Sequence, residues 1–578
     1  MMMNKFLKRA LLPTLLAGIT LTSFGQKSAP NGWHLADPKE SGSYGISLDK
    51  AYQFLKGKKS NQVVVAVIDS GIDTLHEDLK PVLWTNPGEI AGNGIDDDKN
   101  GYVDDVHGWN FIGGKDGRNV EADSYEASRV YHRFKSKFEK VEDPASLSKE
   151  DQDLYRMWLK AANDIRVDPT NALSLMMLNN AYKSAASADT TLQRLMGKAE
   201  FSATEAEKFN PPTAEGKSAK RKFLLLYQAL GFENSRTNKD VLTEIGDYIA
   251  GEERKANAAS VPPRNFRAEV VGDNEADIND RYYGNNDIMA SKKSARHGTH
   301  VSGIIAAVRG NSKGTDGVAD NVRIMTIRAV PDGDEHDKDV ALAIRYAVDN
   351  GAKVINMSFG KGVSPEKEWV DDAVKYAESK GVLLVHAAGN EGANIDTSWN
   401  FPTPLFKDGT TRATNWITVG ASAAAKNSLI ANFSNVGKTE VDVFAPGVNI
   451  YAPVPGGNVY DNLSGTSMAS PVVSGIAALI LQYYPQFTAQ QVKMIIEQSA
   501  VPFEEDVINP STGEKAKLSE LSRTGGLVNA YEAIIMADEL ARTGKIKTEG
   551  KKIKVDGKDL KIKTKTPTGE KKVKVKSA

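Results

Sequence analysis

The chain has 578 residues, of which 40% are hydrophobic and 25% charged, and it contains no cysteine; disulfides, cysteine nucleophiles and cysteine–zinc sites are therefore excluded. The formal net charge of −1 hides an uneven distribution: three basic residues lie in the first 25, thirteen lysines against four acidic residues follow Gly544, and the body between them carries about −13. An acidic body argues against a nucleic-acid groove.

The N-terminal residues have the pattern of a targeting segment. Three basic residues precede an apolar stretch, 10–24, and small residues follow near Gly25. This pattern predicts a secretory signal peptide over 1–25 rather than a transmembrane anchor, because the stretch is too short to span a membrane. No later segment reaches about 18 uninterrupted apolar residues. We therefore expect an exported protein, periplasmic or extracellular.

The first strong structural signal is a run of β-branched and apolar residues at 63–68, after a short predicted helix at 46–52. A run that is apolar at every position predicts a strand covered on both faces of a parallel sheet. Asp69 follows it directly. A carboxylate at the carboxyl end of such a strand is a candidate for chemistry, and a turn cap is the alternative.

An acidic loop follows, with aspartate or asparagine at alternate positions and then Gly101. Hard oxygen ligands at every second residue, with a glycine for the sharp turn, match the first half of a calcium loop. The predicted ligands are Asp96, Asp98, Asn100, Tyr102 and Asp104. The match is partial, since His107 stands where a glutamate would complete the loop and no clear helix precedes it. The alternative is a loop of side-chain-capped turns with no ion.

The sequence pattern changes over 115–286. No glycine occurs between Gly117 and Gly197, and aromatic and aliphatic residues recur at helical spacing, as in 173–178 and 223–230. Ser148 precedes an acidic first turn and predicts a capped amphipathic helix. We interpret this segment as a helical insertion whose aromatic residues form its own core.

Strand and helix patterns then alternate. Strands are predicted at 322–327, 354–360 and 382–388, and helices at 340–348, 369–379, 489–499 and 531–540. This alternation indicates a parallel sheet with crossover helices, an α/β fold. The C-terminal tail, 542–578, alternates lysine with β-formers, which predicts short strands in a solvated edge module; an arm that binds polyanions is the alternative.

The stretch GTSMASP at 465–471 opens an apolar run, 472–481, that predicts a buried helix. Pro471 suits the first turn of a helix, where its missing N–H costs nothing. Ser467 would then lie at the helix N-terminus, where free N–H groups favour a developing negative charge. A single serine at such a position is usually only a cap, but this chain also supplies an imidazole and a carboxylate.

Asp69, His297 and Ser467 occur in an order, and in surroundings, that resemble the subtilisin-like serine proteases, the subtilases. The matching segments are VIDSGID at 67–73, HGTHVSG at 297–303, AAGNEG at 387–392 and GTSMASP at 465–471. The resemblance implies a subtilisin-like parallel sheet flanked by helices, built from 26–114 and 287–541. It leaves an inserted all-α subdomain and a short lysine-rich β tail as additions.

The same resemblance implies a role for each matching residue. Ser467 is the nucleophile, His297 the general base and then acid, and Asp69 the group that orients His297. Asn390 and the backbone N–H of Ser467 form the oxyanion hole. His300 is expected to be structural, and a metal pair of His297 with His300 lacks a third ligand or an HExxH motif.

The resemblance also implies where substrate binds. Ser358, Phe359 and Gly360 correspond to the edge strand that pairs with the substrate backbone, and Ala388 and Gly389 lie on the opposite wall of the first specificity pocket. The pocket is uncharged in sequence, so we expect a hydrophobic residue before the cut and protein or peptide substrates.

One departure from the family is large. Asp69 and His297 are 228 positions apart, because the helical insertion lies between them, and we expect this insertion to act as a lid or an exosite. Two alternatives to a general secreted endopeptidase stay open: an inactive subtilase-fold binding protein, and a narrow-specificity processing protease gated by the insertion.

Overall fold

The computed structural model describes residues 29–166, 169–230, 232, 234, 236–548, 551–556 and 559–560. The chain divides into two compact units. The sheet unit comprises Ser28–Glu121, Phe266–Pro331 and Glu335–Ala578 as far as these are described, and the helical unit comprises Ala122–Asn265 with Asp332–Asp334. The predicted signal peptide lies outside the described residues.

A nine-stranded sheet forms the centre of the sheet unit, in the order β10-β13-β7-β6-β5-β4-β1-β3-β2. Its strands are β1 Val63–Asp69, β2 Gly108–Asn110, β3 Val322–Arg328, β4 Val354–Met357, β5 Leu383–Ala387, β6 Trp416–Ser422, β7 Val443–Pro446, β10 Val501–Pro502 and β13 Gly526–Leu527. All neighbouring pairs are parallel except β10 with β13. The predicted α/β fold is confirmed.

Strand β1 shows why both faces of the sheet are covered. Val65 and Val67 lie in one hydrophobic core, and Ala66 and Ile68 lie in a second core on the opposite face. Successive side chains of a strand point to opposite faces, so an uninterrupted apolar run needs a helix layer on each side. Strand order also reverses at β1, which lies between β3 and β4. Crevices at such reversals are where open α/β sheets bind ligands.

Helices cover the two faces of the sheet. Those of the sheet unit are α1 Pro38–Ser41, α2 Leu48–Leu55, α9 Arg296–Ala306, α10 Asp337–Asp349, α11 Lys367–Ser379, α12 Thr466–Tyr483, α13 Ala489–Gln498, α14 Leu518–Leu521 and α15 Ala530–Thr543. By length and apolar character, α12 is the one described helix that could cross a membrane, and 89% of it is buried within the protein. Two hairpins, β8 Ile450–Val454 with β9 Val459–Leu463 and β11 Asp506–Ile508 with β12 Lys515–Lys517, complete the unit.

The helical unit has a core of its own. Its helices are α3 Glu126–Phe138, α4 Lys149–Asp164, α5 Pro169–Met196, α6 Ala203–Lys208, α7 Ala214–Leu230 and α8 Asn238–Asn257. Phe201, Phe223 and Tyr227 pack together in its centre. The Ser148 hydroxyl accepts the backbone N–H of Asp151 at 3.1 Å, so the predicted cap forms. The helical unit spans fewer residues than the predicted 115–286, because 115–121 and 266–286 belong to the sheet unit.

The described backbone of the C-terminal tail forms an antiparallel sheet. Its strands are β14 Lys545–Thr548, β15 Lys551–Asp556 and β16 Asp559–Leu560. The rest of the tail lies outside the described residues.

Candidate active site

Asp69 and His297 are joined at the end of the central strand. Asp69 is the last residue of β1 and is buried. Its Oδ1 accepts a hydrogen bond from His297 Nδ1 at 2.8 Å and another from the backbone N–H of Ser70 at 2.7 Å. His297 lies in the first turn of α9, and 38% of its side chain is exposed. One nitrogen of the ring is therefore held by a carboxylate while part of the ring reaches the surface.

The environment of His297 makes it a stronger base than a free imidazole. Burial alone would lower its pKa, but the negative charge of Asp69 and the hydrogen bond to that carboxylate outweigh burial, and the pKa is raised above the ordinary value. A carboxylate that accepts from Nδ1 also favours the tautomer in which Nε2 can receive a proton.

Ser467 is placed at the same end of the sheet. Ile68 of β1 pairs with Met357 of β4, so the residues that follow them, Asp69 and Ser358, are neighbours across the two strands. The Ser467 hydroxyl donates to the Ser358 carbonyl oxygen at 3.1 Å, and the Ser467 carbonyl oxygen accepts from the Ser358 hydroxyl at 3.0 Å. The sheet end thus brings the three predicted residues to one region.

A hydrogen bond between Ser467 and His297 is not formed in the described part of the chain, because the Ser467 hydroxyl donates to Ser358 instead. A rotation about the Cα–Cβ bond of Ser467 redirects that hydroxyl. Hydrogen bonds of this kind are often loose without substrate and tighten when it binds.

The position of Pro471 corrects one prediction. Helix α12 begins at Thr466, so Pro471 lies inside the helix and not in its first turn. Proline has no N–H to donate to the carbonyl four residues earlier, which is that of Ser467. The Ser358 hydroxyl donates to this carbonyl instead. Because Pro471 cannot donate to the Ser467 carbonyl, that carbonyl accepts the Ser358 hydroxyl, and this bond joins the start of α12 to the end of β4.

Asn390 is held at the start of α12. The backbone N–H and the hydroxyl of Thr466 donate to Asn390 Oδ1 at 2.8 and 3.0 Å, which fixes the orientation of the amide. The preceding Gly389 has φ +99, and a Cβ there would lie 2.4 Å from Asn435 Nδ2, so only glycine fits this turn. The Gly389 N–H donates to Thr466 Oγ1 at 3.1 Å. The amide therefore stands beside the free N–H groups of a helix N-terminus.

The segment 358–360 directly follows β4, and a buried histidine supports it. His386 of β5 bonds through Nε2 to the Phe359 carbonyl oxygen at 2.8 Å. Burial lowers the pKa of His386 to about 4, so the ring is neutral at ordinary pH and donates from Nε2. The Phe359 carbonyl therefore points towards the protein interior. In an extended segment the backbone groups of the neighbouring residues, Ser358 and Gly360, then point to the opposite side.

A third segment joins the two predicted walls of the pocket. Phe401 and Lys361 exchange backbone hydrogen bonds at 2.9 Å each, so 399–401 pairs with the continuation of the substrate segment. Asn400 Nδ2 donates to the Ala388 carbonyl oxygen at 3.1 Å. Its Oδ1 would lie 3.3 Å from a Cβ on Gly360. Asn400 thus connects the wall at 358–360 with the wall at 388–389.

His300 lies on α9 as well but faces a different environment. Its Nε2 is close to two backbone oxygens, Ile450 at 2.9 Å and Asp461 at 3.1 Å. Burial lowers its pKa to about 3. A neutral ring bonded to backbone carbonyls supports the structural role expected for His300 and leaves no Nε2 lone pair for a metal.

The acidic loop brings together only part of the predicted ligand set. Carboxylate oxygens of Glu89, Asp96 and Asp98 lie within 4.8 Å of one another. Asp104 is not part of this group, and its two oxygens accept the backbone N–H groups of 92–94 at 2.7 to 3.2 Å. The two oxygens of Asp96 likewise accept the N–H groups of Asn100 and Gly101, at 3.1 and 2.8 Å.

The two remaining predicted ligands of this loop are also engaged. Asn100 Oδ1 accepts the Tyr102 N–H at 2.8 Å, and the Tyr102 ring is buried. Glu89 lies before the loop motif in sequence, and for that reason the spacing of the motif did not identify it.

Comparison with known proteins decides the family. The family model for the subtilase family matches residues 60–527, which is most of the chain. This chain belongs to the subtilase family. It is 40% identical over 239 residues to the thermophilic serine proteinase of Bacillus sp. (strain AK1), covering 41% of this chain and 52% of that protein. It is 40% identical over 208 residues to subtilisin DY of Bacillus licheniformis, covering 35% and 70%.

Measured against the first of these relatives, this subtilase matches about half of the relative's length. A solved structure of proteases from Pseudoalteromonas arctica shares 28% identity with a TM-score of 0.35 and covers 42% of this chain and 70% of that one. The fold assignment therefore rests on the sheet topology and the family match.

Sequence reasoning missed several residues of this subtilase that support the site. His386 stands in an apolar strand and Asn400 in an irregular loop, and neither belongs to a motif. Arg328 ends β3 and is fully buried. A charged residue at the end of an otherwise apolar strand was a signal that could have identified Arg328, but its partners come from distant parts of the chain.

Proposed function

We propose that this subtilase is an exported serine endopeptidase that hydrolyses peptide bonds through Asp69, His297 and Ser467. The observation that carries the proposal is the hydrogen bond between His297 Nδ1 and the buried Asp69 carboxylate, at the sheet end where Ser467 lies. An imidazole that is oriented and made more basic in this way, beside a serine at a helix N-terminus, is the arrangement that acyl transfer requires.

The reaction proceeds through an acyl-enzyme intermediate. Ser467 Oγ leaves the Ser358 carbonyl and attacks the carbonyl carbon of the substrate, while His297 Nε2 accepts the hydroxyl proton. The tetrahedral intermediate then breaks its C–N bond, and His297 returns the proton to the departing amine. Water attacks the resulting ester by the same steps and restores Ser467.

The negative oxygen of the tetrahedral intermediate needs donors that are already in place. Asn390 presents its amide beside Ser467, with its Oδ1 held by Thr466. The backbone N–H of Ser467 at the start of α12 is the second donor. Donors fixed before the reaction stabilise the charge without reorganising during it.

The substrate backbone extends the sheet along 358–360, and its side chain enters the space between this segment and 388–389. The residues of both walls are uncharged, and this supports a hydrophobic residue before the cut. Cleavage of a peptide library tests the preference. Enrichment of charged residues at that position would contradict it.

A phosphonate reagent that reacts with activated serines tests the proposal as a whole. We expect the wild-type protein to be labelled and Ser467→Ala to remain unlabelled. Ser470→Ala is a matched control, because Ser470 lies in the same helix but is buried and bonded to Asn356. Absence of labelling and of peptide cleavage in the folded wild-type protein would favour an inactive binding protein on this scaffold.

We also propose that a calcium ion binds at the acidic loop. Glu89, Asp96 and Asp98 supply hard oxygen ligands within reach of one ion, and such an ion would supply a positive charge that holds the loop together. The prediction is a rise in melting temperature on adding calcium to chelator-treated protein. The same rise in Asp96→Asn/Asp98→Asn protein would show that calcium acts elsewhere.

The lid or exosite role of the helical unit remains a prediction. Replacing 122–265 by a short linker is expected to speed the cleavage of a folded protein more than the cleavage of a small ester. Equal changes for both substrates would contradict a gating role.

A further inference from the structure

Arg328, the last residue of β3, is a buried cation. It is 0% exposed, and it forms no ion pair within 4.0 Å among the residues that the structure describes. Burial lowers its pKa to about 10, although the negative charges of Asp287 and Glu121 act in the opposite direction, so it stays charged at neutral pH. Burying a charge that has no counter-ion in direct contact is costly, and an apolar side chain would fill the same space at lower cost. Packing alone therefore does not account for an arginine at this position, and its hydrogen bonds indicate what it does.

One of these hydrogen bonds leads to Asp69. Arg328 Nε donates to the carbonyl oxygen of Ser70 at 3.0 Å, and the N–H of Ser70 donates to Asp69 Oδ1 at 2.7 Å. Asp69 and Arg328 are also paired in register across β1 and β3. A shift of the guanidinium would therefore move the residue that holds the Asp69 carboxylate.

The other two hydrogen bonds lead to 110–120, which precedes the helical unit in sequence. A second segment, 284–288, follows the helical unit in sequence. We call these segments, 110–120 and 284–288, the stem. Arg328 Nη1 donates to Asn110 Oδ1 at 3.1 Å, and Nη2 donates to the Val120 carbonyl oxygen at 2.5 Å. One guanidinium thus contacts the outgoing segment at two places.

Asn110 also contacts the second segment of the stem, 284–288. It exchanges backbone hydrogen bonds with Asn285 at 2.9 and 3.1 Å, and its Nδ2 donates to the Asp287 carbonyl oxygen at 3.0 Å. The packing is close, because a Cβ on Gly284 would lie 2.3 Å from the Asn110 carbonyl oxygen. The two halves of the stem are therefore bonded to each other, and the half at 110–120 is bonded to Arg328.

We propose that Arg328 is a positioning residue for Asp69 and that it makes the placement of Asp69 depend on the geometry of the stem. The inference rests on the proposed function and deepens it. The helical unit lies in sequence between Asp69 and His297, which are 228 positions apart and must contact each other. Because Arg328 bonds to both Ser70 and the stem, it keeps Asp69 in place although the helical unit is inserted after it in sequence.

Substitution of Arg328 tests the positioning role. Arg328→Met removes all five N–H donors and keeps much of the length, and Arg328→Lys keeps the charge but cannot serve three separated acceptors at once. We expect kcat on a short peptide to fall by about 10- to 100-fold in Arg328→Met, as for a small displacement of a reacting group. KM should change little, because Arg328 does not contact the substrate segment. Arg328→Lys should be intermediate.

Two further readouts separate positioning from simple destabilisation. A looser Asp69 holds the His297 proton less firmly, so the acid limb of kcat/KM should move to lower pH in Arg328→Met. The matched control is Arg323→Met on the same strand, since Arg323 contacts only the carbonyl of its own neighbour, Val322, in the described contacts. Its kcat and acid limb should match those of the wild type.

Unchanged kcat and an unchanged acid limb in folded Arg328→Met overturn the inference, and where that variant does not fold, the same result in Arg328→Lys overturns it. For the stem, Asn110→Ala should lower kcat in the same direction by a smaller factor, and wild-type kcat there overturns the dependence on the stem. A wild-type protein that neither cleaves peptide nor reacts with phosphonate contradicts the proposed function instead.

Discussion

The two units of this chain use buried polar groups in different ways. In the sheet unit, polar side chains gather where strands end and helices begin, as Asp69, Ser358, Asn390 and Ser467 do. In the helical unit, the core is aromatic and aliphatic, and a buried polar pair, Asp189 with Asn238, is bonded to its surroundings in a loop-to-helix junction. Polar groups at the carboxyl ends of parallel strands lie where open α/β sheets bind ligands, whereas the Asp189–Asn238 pair joins a loop to two helices of the helical unit.

The largest effect should come from removing the nucleophile. Ser467→Ala is expected to lower kcat by about 10⁶-fold, because the histidine and aspartate have no function without the hydroxyl. Stability should change little, since the Ser467 contact to Ser358 that fastens the helix start also uses the backbone carbonyl. Turnover of a chromogenic peptide measures the effect. Turnover within about tenfold of the wild type would remove the basis for calling this end of the sheet catalytic.

The next effect concerns Asp69 and has a pH signature. Asp69→Asn is expected to lower kcat by about 10⁴-fold, because the amide favours the wrong tautomer of His297. In the wild type the raised pKa of His297 places the acid limb of kcat/KM above the ordinary value for histidine, since the reaction needs the neutral ring. In Asp69→Asn the negative charge is gone while burial remains, so the limb should move to lower pH. A limb that stays in place in Asp69→Asn would mean that another group titrates.

Much of this site could be predicted because its residues follow local patterns. Asp69 ends a β-branched, apolar run that predicts a buried strand, and Ser467 and His297 each open an apolar helix. The fold followed from the alternation of strand and helix. Pro471 was misplaced because the helix begins at Thr466, earlier than the apolar run, and in this first turn Thr466 and Ser467 are bonded to Asn390 and Ser358.

What the sequence could not supply were contacts between distant segments. Arg328 binds residues near positions 70, 110 and 120, and Glu89 approaches Asp96 and Asp98 only because the loop folds back on itself. His386 supports Phe359 from the neighbouring strand. Each of these depends on strand order and loop closure, which residue spacing along the chain does not encode.

The oxyanion donor should give the third effect. Asn390→Ala is expected to lower kcat by about 10²- to 10³-fold with little change in KM, because its amide contributes mainly in the transition state. Steady-state kinetics on the same peptide measure it. A rise in KM without a fall in kcat would place Asn390 in ground-state binding instead.

A smaller effect on activity is expected from His386, which bonds to the substrate-binding segment 358–360. His386→Leu removes the donor to the Phe359 carbonyl and should raise KM for a tetrapeptide by about 5- to 10-fold, the value of one hydrogen bond. A small ester, which does not pair with 358–360, should be affected less. His386→Gln, which retains an N–H donor, is the matched control. Equal losses for ester and tetrapeptide would show that His386 does not act through this segment.

The smallest effect on activity should come from the helical unit. Asn238 donates to Asp189 Oδ1 at 2.7 Å and accepts the N–H of Phe201 at 2.8 Å, and its removal leaves both buried groups without this partner. Asn238→Ala should therefore cost about 1–3 kcal/mol of unfolding free energy, measured by urea denaturation, while kcat/KM stays at the wild-type value. Thr190→Ala, an exposed change on α5, is the control and should lie within about 0.5 kcal/mol of the wild type. A fall in kcat/KM of folded Asn238→Ala protein would mean that the interior of the helical unit is coupled to the active site, and the contrast between the buried polar groups of the two units would no longer hold.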